Sequence, residues 1–521
     1  MRRLDMFSRI HSSVCRGIEG RLVYVETDIG RGLPGTNIVG LASTMVMESR
    51  ERIRSAINNS DLEYPRGKIT VNLTPASLRK NGSCLDLPIA AGILTSSGYI
   101  DPAKAEEYGI IGELSLEGGV LGVEGVLPMI LGMKQAGLRK VIIPSVNMIE
   151  AAMVTGIRIF PVDSLIAAVR LINGWVSSPG EDPVCDEARD ILRHKIDESA
   201  ELSGDFADIR GQENAKRALT IAVTGRHGLL MVGSPGCGKT MLASRIPSIM
   251  PPMSEEERIE TAVIYSAAGR TNLGGDIPLV RPFRNPHNTI GRAGLIGGGS
   301  IPVPGEITLA HNGVLFLDEV CEFDRNTIEA LRTPVEEKKI VHFRRGENYV
   351  FPCNFQLVMA ANPCPCGYFG DSTRLCRCSE AQLAGYRKKL SGPMMDRIDM
   401  RISMEKVEYD ELSGEVRGSC GMSTEMMRTA VERGLNYARS MGRTCSSSDM
   451  TDREMENWCG LSRRGEKFMK DAYQMLRMTP RSYKKTLKVA RTIADMSECR
   501  DIGEEHLAEA LSYRILDAVN E

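Results

Sequence analysis

No apolar run in this chain is long enough to cross a bilayer. The longest, such as Leu87 to Leu94, fall far short of the ~20 residues a membrane helix needs. The opening segment MRRLDMFSRIHSSVC is basic but has no continuous apolar stretch behind it, which argues against a secretory signal. Charge of one sign is lacking too. A formal net charge of −2 gives no global attraction to nucleic acid, so any such contact must come from local patches or from a pore in an assembly. No fixed-period repeat is evident, which removes the signature of solenoids and propellers. What remains is ordinary globular composition, 42% apolar and 25% charged, over 521 residues, enough for two to four domains. Fourteen cysteines without a secretory signal imply a reducing compartment, where clustered cysteines bind metal more often than they form disulfides. The expectation is a soluble cytoplasmic protein with no membrane partner.

The strongest positive signal lies at Gly233-Ser234-Pro235-Gly236-Cys237-Gly238-Lys239-Thr240, a complete G-x-x-x-x-G-K-T phosphate loop. The apolar run Leu229 to Val232 before it suits a buried strand, and Lys239 through Ile249 can continue as a helix. Glycines let backbone N–H groups curl around phosphate oxygens, and a helix start adds its positive end. Lys239 would neutralise the β- and γ-phosphates of ATP, and Thr240 would hold Mg²⁺. Gly313 to Leu317 is a second apolar strand, ending in Asp318 and Glu319. The first carboxylate suits the Mg²⁺ shell, and the second suits polarisation of an attacking water. A third strand, Phe355 to Ala361, ends in Asn362, whose side chain could orient that water; the alternative is a simple loop cap.

Pattern divides the chain into an α/β region over residues 1–172, a Pro-, Gly- and acid-rich linker over 173–204, an α/β core over 205–404 and a mostly helical region over 405–521. In the first region, Val23 to Val25, Lys68 to Asn72 and Val141 to Ile143 read as strands and Thr44 to Asn58 as a helix. Helical potential at Ala188 to Ala200 implies that part of the linker is ordered. Alternating strands and helices in the core imply a parallel sheet covered on both faces. Capping residues put helix starts in the last region at Ser423, Thr451, Thr479 and Gly503.

From Asp205 onward these motifs resemble the AAA+ ATPases. Asp205 to Gln212 is similar to that family's adenine-side segment, and Ser391 to Asp399 to the segment carrying its arginine finger. The resemblance implies that Arg397 reaches a neighbouring subunit's γ-phosphate; the alternative is a local pair with Asp396 or Asp399. Thr479 to Tyr483 and Leu487 to Asp495 resemble the lid helix bearing the second sensor, with Arg481 the better candidate there and Arg491 equally a packing residue. A finger acting in trans implies a homo-oligomer, a hexameric ring in this family.

Arg281 to Ile290, the glycines at 297–299, Pro304 to Glu306 and Val335 to Arg345 resemble the channel-facing insertions of the magnesium-chelatase-like branch, with Asn288 a departure from the branch's pattern. Arg281, Arg284, Arg292, Arg344 and Arg345 would then suit a phosphate backbone; ordinary solvated loops are the alternative. Cys364, Cys366, Cys376 and Cys378 lie within fifteen positions and could complete a tetrahedral Zn²⁺ site that staples a polar loop, or could be four reduced thiols. With Asn362-Pro363-Cys364-Pro365-Cys366-Gly367-Tyr368, the whole chain resembles the YifB/ComM family of magnesium-chelatase-like AAA+ proteins.

The first region agrees. Lys80 to Ala90, Val120 to Val123 and Gly137 to Pro144 resemble the Lon protease domain, an α/β fold like domain 2 of ribosomal protein S5. Lon activates a serine with a lysine, and at those places this chain has Cys84 and Leu127. Leucine cannot take a proton, so a Lon-like fold without peptidase activity is expected. The family implies an ATP-driven ring motor on single-stranded or branched DNA, performing branch migration or helicase-type translocation in homologous recombination or uptake of transforming DNA. The rival is a protein-remodelling ATPase with no DNA substrate, and an ATP-dependent protease is disfavoured by Leu127.

Overall fold

The computed structural model describes residues 7–41, 43–80, 82–175, 188, 190–192, 204–271, 277–344, 346–370, 374–389, 392–406 and 421–514. Among them, no helix is long and apolar enough to cross a membrane.

The first part of the chain builds a seven-stranded mixed sheet in the order Gly35–Val39, Lys68–Thr74, Glu19–Gly30, Phe7–Arg16, Tyr108–Ile110, Lys140–Pro144, Arg158–Val162. Alternation fixes its buried face: in Lys68–Thr74, Ile69, Val71 and Leu73 are fully buried while their neighbours face outward. The helix Asp86–Ser96 is buried along its whole length against Phe7–Arg16 and Glu19–Gly30. That accounts for the run Leu87 to Leu94 as a core helix, since an element covered on all sides needs no polar stripe.

The second part holds a five-stranded, all-parallel sheet in the order Phe283–Arg284, Val314–Leu317, Gln356–Ala361, Leu229–Gly233, Met400–Met404. The phosphate-loop strand lies between Gln356–Ala361 and Met400–Met404, with Leu229 opposite both Val358 and Met400. Val314–Leu317 and Gln356–Ala361 are buried throughout, as expected of parallel strands covered on two faces. Helices of the last region start after Ser423, Thr451, Thr479 and Gly503, as the capping pattern predicts. A further helix, Arg463–Met475, capped by Ser462, carries no warning in that pattern.

One expectation needs correction. The helix after the phosphate loop is interrupted: Lys239–Ser244 ends at Arg245, and a second turn runs over Ile246–Ile249. Pro247 has no N–H to continue the ladder. Most of 173–204 lies outside the described residues; within it, Ala188 and Leu192 pack into the first part's hydrophobic core.

The two parts are in contact. Ala262, Val263, Ile277 and Leu279 join the first part's core, and Ser266 accepts backbone N–H groups from Gly125 on its carbonyl and Leu127 on its hydroxyl. Arg16 pairs with Glu347 at 3.0 Å. Leu127 itself is fully buried, and Cys84 is buried with its thiol pushed up to about 12 by desolvation. The side chain of Ser83 donates to Glu113. Cys84 and Leu127 therefore belong to a packed core.

Burial keeps the Cys84 thiol protonated and out of reach of solvent. Alkylation of the native protein, followed by peptide mass spectrometry, is expected to leave Cys84 unmodified while unfolding exposes it. Native labelling of Cys84 at the rate of an exposed thiol would contradict the buried placement.

Candidate nucleotide site

The parallel sheet carries three loops to one end. The phosphate loop follows Gly233, Asp318 follows Leu317, and Asn362 follows Ala361, all at the carboxyl ends of adjacent strands. Contacts tie the three together. Thr240 Oγ1 donates to Asp318 Oδ2 at 2.6 Å, and Lys239 Nζ donates to Asn362 Oδ1 at 3.2 Å. The Lys239 ammonium also bonds the carbonyls of Gly233 and Ser234 at 2.6 and 3.1 Å.

The donor set suits a polyphosphate. Lys239 is only 7% exposed, yet among the described residues no carboxylate pairs with it. A buried cation without a counter-charge is costly, and an anion at the loop relieves that cost. Gly236 and Gly238 adopt φ of +83° and +91°, and a Cβ on either would meet nothing within 4 Å, so the loop's backbone faces open space. Thr240 and Asp318 offer the hydroxyl and carboxylate that would hold Mg²⁺. Glu319 is exposed in a left-handed conformation, φ +48°, while its N–H is bound by Asp318 Oδ1 at 2.9 Å. The bend turns its carboxylate out of the strand instead of into the core. Gln212, from the adenine-side segment, donates to the carbonyls of Cys237 and Glu405 at 3.4 and 2.5 Å.

Arg397 and Arg481 are elsewhere. Arg397 precedes Met400, which pairs with Leu229 at the start of the loop strand, so both arginines belong to the amino end of the sheet. The strand places that end roughly 13 Å from the phosphate loop. They meet on one carboxylate that no local motif singles out: Glu336 accepts from Arg397 at 2.9 Å and from Arg481 at 3.0 Å. These three line a cleft of about 390 Å³ with Arg226, Lys485 and Lys488. Arg491 lies outside it. Buried inside the helical region, it donates to Asp495 Oδ1 at 2.9 Å and to the carbonyl of Arg500, and is a packing residue.

The candidate DNA-contacting arginines divide. Arg281 is buried, with its guanidinium on Glu257 and the carbonyls of Pro251 and Asn312. Arg284 makes a two-pronged pair with Glu306 at 2.7 and 2.8 Å. Both are structural, contrary to the sequence expectation; nearby acids and carbonyls satisfy them. Arg292 and Arg344 are exposed, and Arg345 lies outside the described residues. The sulfurs of Cys364, Cys366, Cys376 and Cys378 all lie within 4.8 Å of one another, a spacing compatible with a metal ion.

Asp399 joins the arginine segment to the helical region. It pairs with Lys485 at 2.8 Å and His227 at 3.5 Å, and accepts the Gly228 N–H at 3.1 Å. Burial alone would raise its pKa, but Lys485 and His227 outweigh it and hold the carboxyl well below the ordinary range. A depressed carboxyl contributes stability that is complete above the usual carboxylate range near ~4 and lost only as acid protonates it. Asp399→Asn is therefore expected to cost about 3 kcal/mol at neutral pH, read from the denaturant midpoint, because Lys485 is left unpaired. The deficit should shrink in strong acid.

Comparison with known proteins agrees with this geometry. The family model for magnesium chelatase, subunit ChlI, matches residues 205–412; that for subunit ChlI of Mg-chelatase matches 25–147; and that for the ChlI C-terminal region matches 421–514. The chain is 38% identical over 509 residues to Competence protein ComM of Haemophilus influenzae, covering 97% of each chain. It is 38% identical over 510 residues to the uncharacterized protein YifB of Escherichia coli, covering 98% of this chain and 97% of that one. A shorter likeness, 30% over 141 residues and 26% of each chain, is to Lon protease 2 of Bacillus subtilis. The two sheets, the helical region and the full-length likeness lead to one conclusion: the chain belongs to the ComM/YifB group of the magnesium-chelatase subunit ChlI family of AAA+ proteins.

Proposed function

We propose that this chain is an ATP-hydrolysing motor that assembles as a hexameric ring and acts on single-stranded or branched DNA. The observation that carries the shared site is the split of its charged groups. Lys239, Thr240, Asp318, Glu319 and Asn362 gather at the carboxyl end of the sheet, while Arg397 and Arg481 gather on Glu336 at the amino end. Neither arginine can serve its own chain's loop from there, whereas each could meet the loop of a neighbouring copy.

In this reading the residues 233–240 cradle the phosphates of ATP, and Thr240 and Asp318 hold Mg²⁺, which supplies charge neutralisation when bound. Glu319 takes the proton of the attacking water, and Asn362 orients that water. Arg397 and Arg481 contribute positive charge from the next subunit, with Glu336 holding them until that neighbour arrives. Cys364, Cys366, Cys376 and Cys378 hold a structural Zn²⁺. The domains are those of the sequence reading: a Lon-like unit over 1–172 without peptidase activity, the linker over 173–204, the ATPase core over 205–404 and the lid over 405–521.

Support for DNA as the substrate comes from the exposed Arg292 and Arg344 and from the full-length likeness to a protein named for competence. Branch migration or helicase-type translocation during recombination or transformation is the proposed use. A protein-remodelling ATPase is the second reading, favoured by the structural commitment of Arg281 and Arg284, which leaves fewer cations for a phosphate backbone.

Three outcomes test these readings. Glu319→Gln is expected to retain ATP binding and lose at least ~10²-fold in turnover; unchanged hydrolysis would reassign the base. Arg397→Ala should bind ATP but hydrolyse it ~10³-fold more slowly. Mixing it with Lys239→Ala subunits should recover activity, because each intact half then meets the other; a mixture as inactive as its components would sink the trans role. ATPase activity is expected to rise with single-stranded or four-way-junction DNA and to lose that stimulation steeply with salt. No stimulation by any DNA would favour protein remodelling.

A further inference from the structure

The four-cysteine loop lies against the nucleotide site. Cys364 begins two residues after Asn362, whose amide oxygen receives Lys239. Gly367 abuts the ring of Pro235 in the phosphate loop so closely that a Cβ there would fall 2.7 Å from both Pro235 Cγ and Cδ. Its φ of +84° also lies in the left-handed region, so two independent constraints require glycine. On the other side, the Tyr368 ring is flanked by the Arg374 guanidinium at 5.1 Å and the Lys406 ammonium at 5.4 Å. Lys406 follows the strand Met400–Met404 that borders the loop strand.

The sulfur geometry suits one ion. Cys364 and Cys366 sulfurs are 3.3 Å apart, Cys364 and Cys376 3.7 Å, and Cys366 and Cys376 3.6 Å. Four thiolates around Zn²⁺ at ~2.3 Å form a tetrahedron with edges of roughly 3.8 Å, whereas a disulfide would bring a pair to ~2.05 Å. The Cys378 N–H points at the Cys376 sulfur at 3.5 Å, a donor that stabilises a ligating thiolate. Between Pro363 and Cys378 the loop has few apolar side chains to bury, so metal ligation is the interaction available to hold its shape.

We propose that this knuckle is a metal-dependent brace for the nucleotide site. Zn²⁺ on Cys364, Cys366, Cys376 and Cys378 keeps Gly367 against Pro235 and Asn362 against Lys239, so nucleotide affinity follows metal occupancy. The proposal rests on the nucleotide-binding reading above and adds a second ion, remote from the phosphates, on which that binding depends.

The test uses the full chain, purified without added metal or chelator. Elemental analysis should find one zinc per chain. Affinity for a fluorescent ADP analogue, measured in excess Mg²⁺, should fall at least about tenfold when a zinc-selective chelator strips the ion, the equivalent of one charge-assisted hydrogen bond, and should recover when zinc is restored. Gly367→Ala should keep its zinc yet show the same weakening, because its methyl pushes Pro235 away. Cys376→Ser should lose both, and should it fail to fold, the chelation and Gly367→Ala arms decide alone. Protein without zinc removes the site. Zinc-loaded and zinc-free protein of equal affinity, with Gly367→Ala also unaffected, overturns the brace and leaves the nucleotide site standing. Zinc-loaded protein that binds no ADP analogue overturns the nucleotide reading itself.

Discussion

Parallel pairing in the five-stranded sheet is the constraint on which the site depends. Because Leu229–Gly233, Val314–Leu317 and Gln356–Ala361 run the same way in register, whatever follows each strand emerges at one end. Residues more than 120 positions apart, Lys239 and Asn362, thereby come within hydrogen-bond distance. The same parallelism sends whatever precedes Met400–Met404 to the opposite end. Arg397 is held there by Glu336 and the Arg332 carbonyl. One architectural rule therefore gathers the phosphate-loop groups at one end of the sheet and Arg397 at the other.

The Lon-like part is built on the opposite principle. Cys84 is buried, Leu127 is fully buried, and Ser266 of the other part binds the Leu127 backbone. Leucine at position 127 cannot take a proton as a Lon-type lysine would. What the unit offers instead is contact. Its core continues into Ala262 and Val263 of the ATPase core, and Arg16 reaches Glu347 at the end of the hairpin formed by Lys339–Arg344 and Glu347–Pro352.

Much of this was legible in one dimension because local chemistry carries it. A phosphate loop needs its glycines and lysine contiguous, and hydrophobic strands ending in Asp-Glu or Asn have a fixed local form. Helix starts at Ser423, Thr451 and Thr479 follow from side chains that bond backbone N–H groups three residues on. Arginine is where such reading fails. Arg281, Arg284, Arg292 and Arg344 look alike in sequence, and only the partners separate them. Glu257 and Glu306 claim the first two, from positions 24 and 22 residues away.

The sequence by itself determined the phosphate-loop motif, the apolar strands that carry it and the leucine at position 127. Each follows from residue identity at a few positions, and no packing can make leucine a base or a glycine loop a carboxylate. Tertiary structure decided which groups share a site. It put Arg397 and Arg481 on Glu336, withdrew Arg281 and Arg491 into the interior, and laid Gly367 of the cysteine loop on Pro235 of the phosphate loop. Those are pairings across long separations, fixed by strand order and close packing, and no local pattern specifies them.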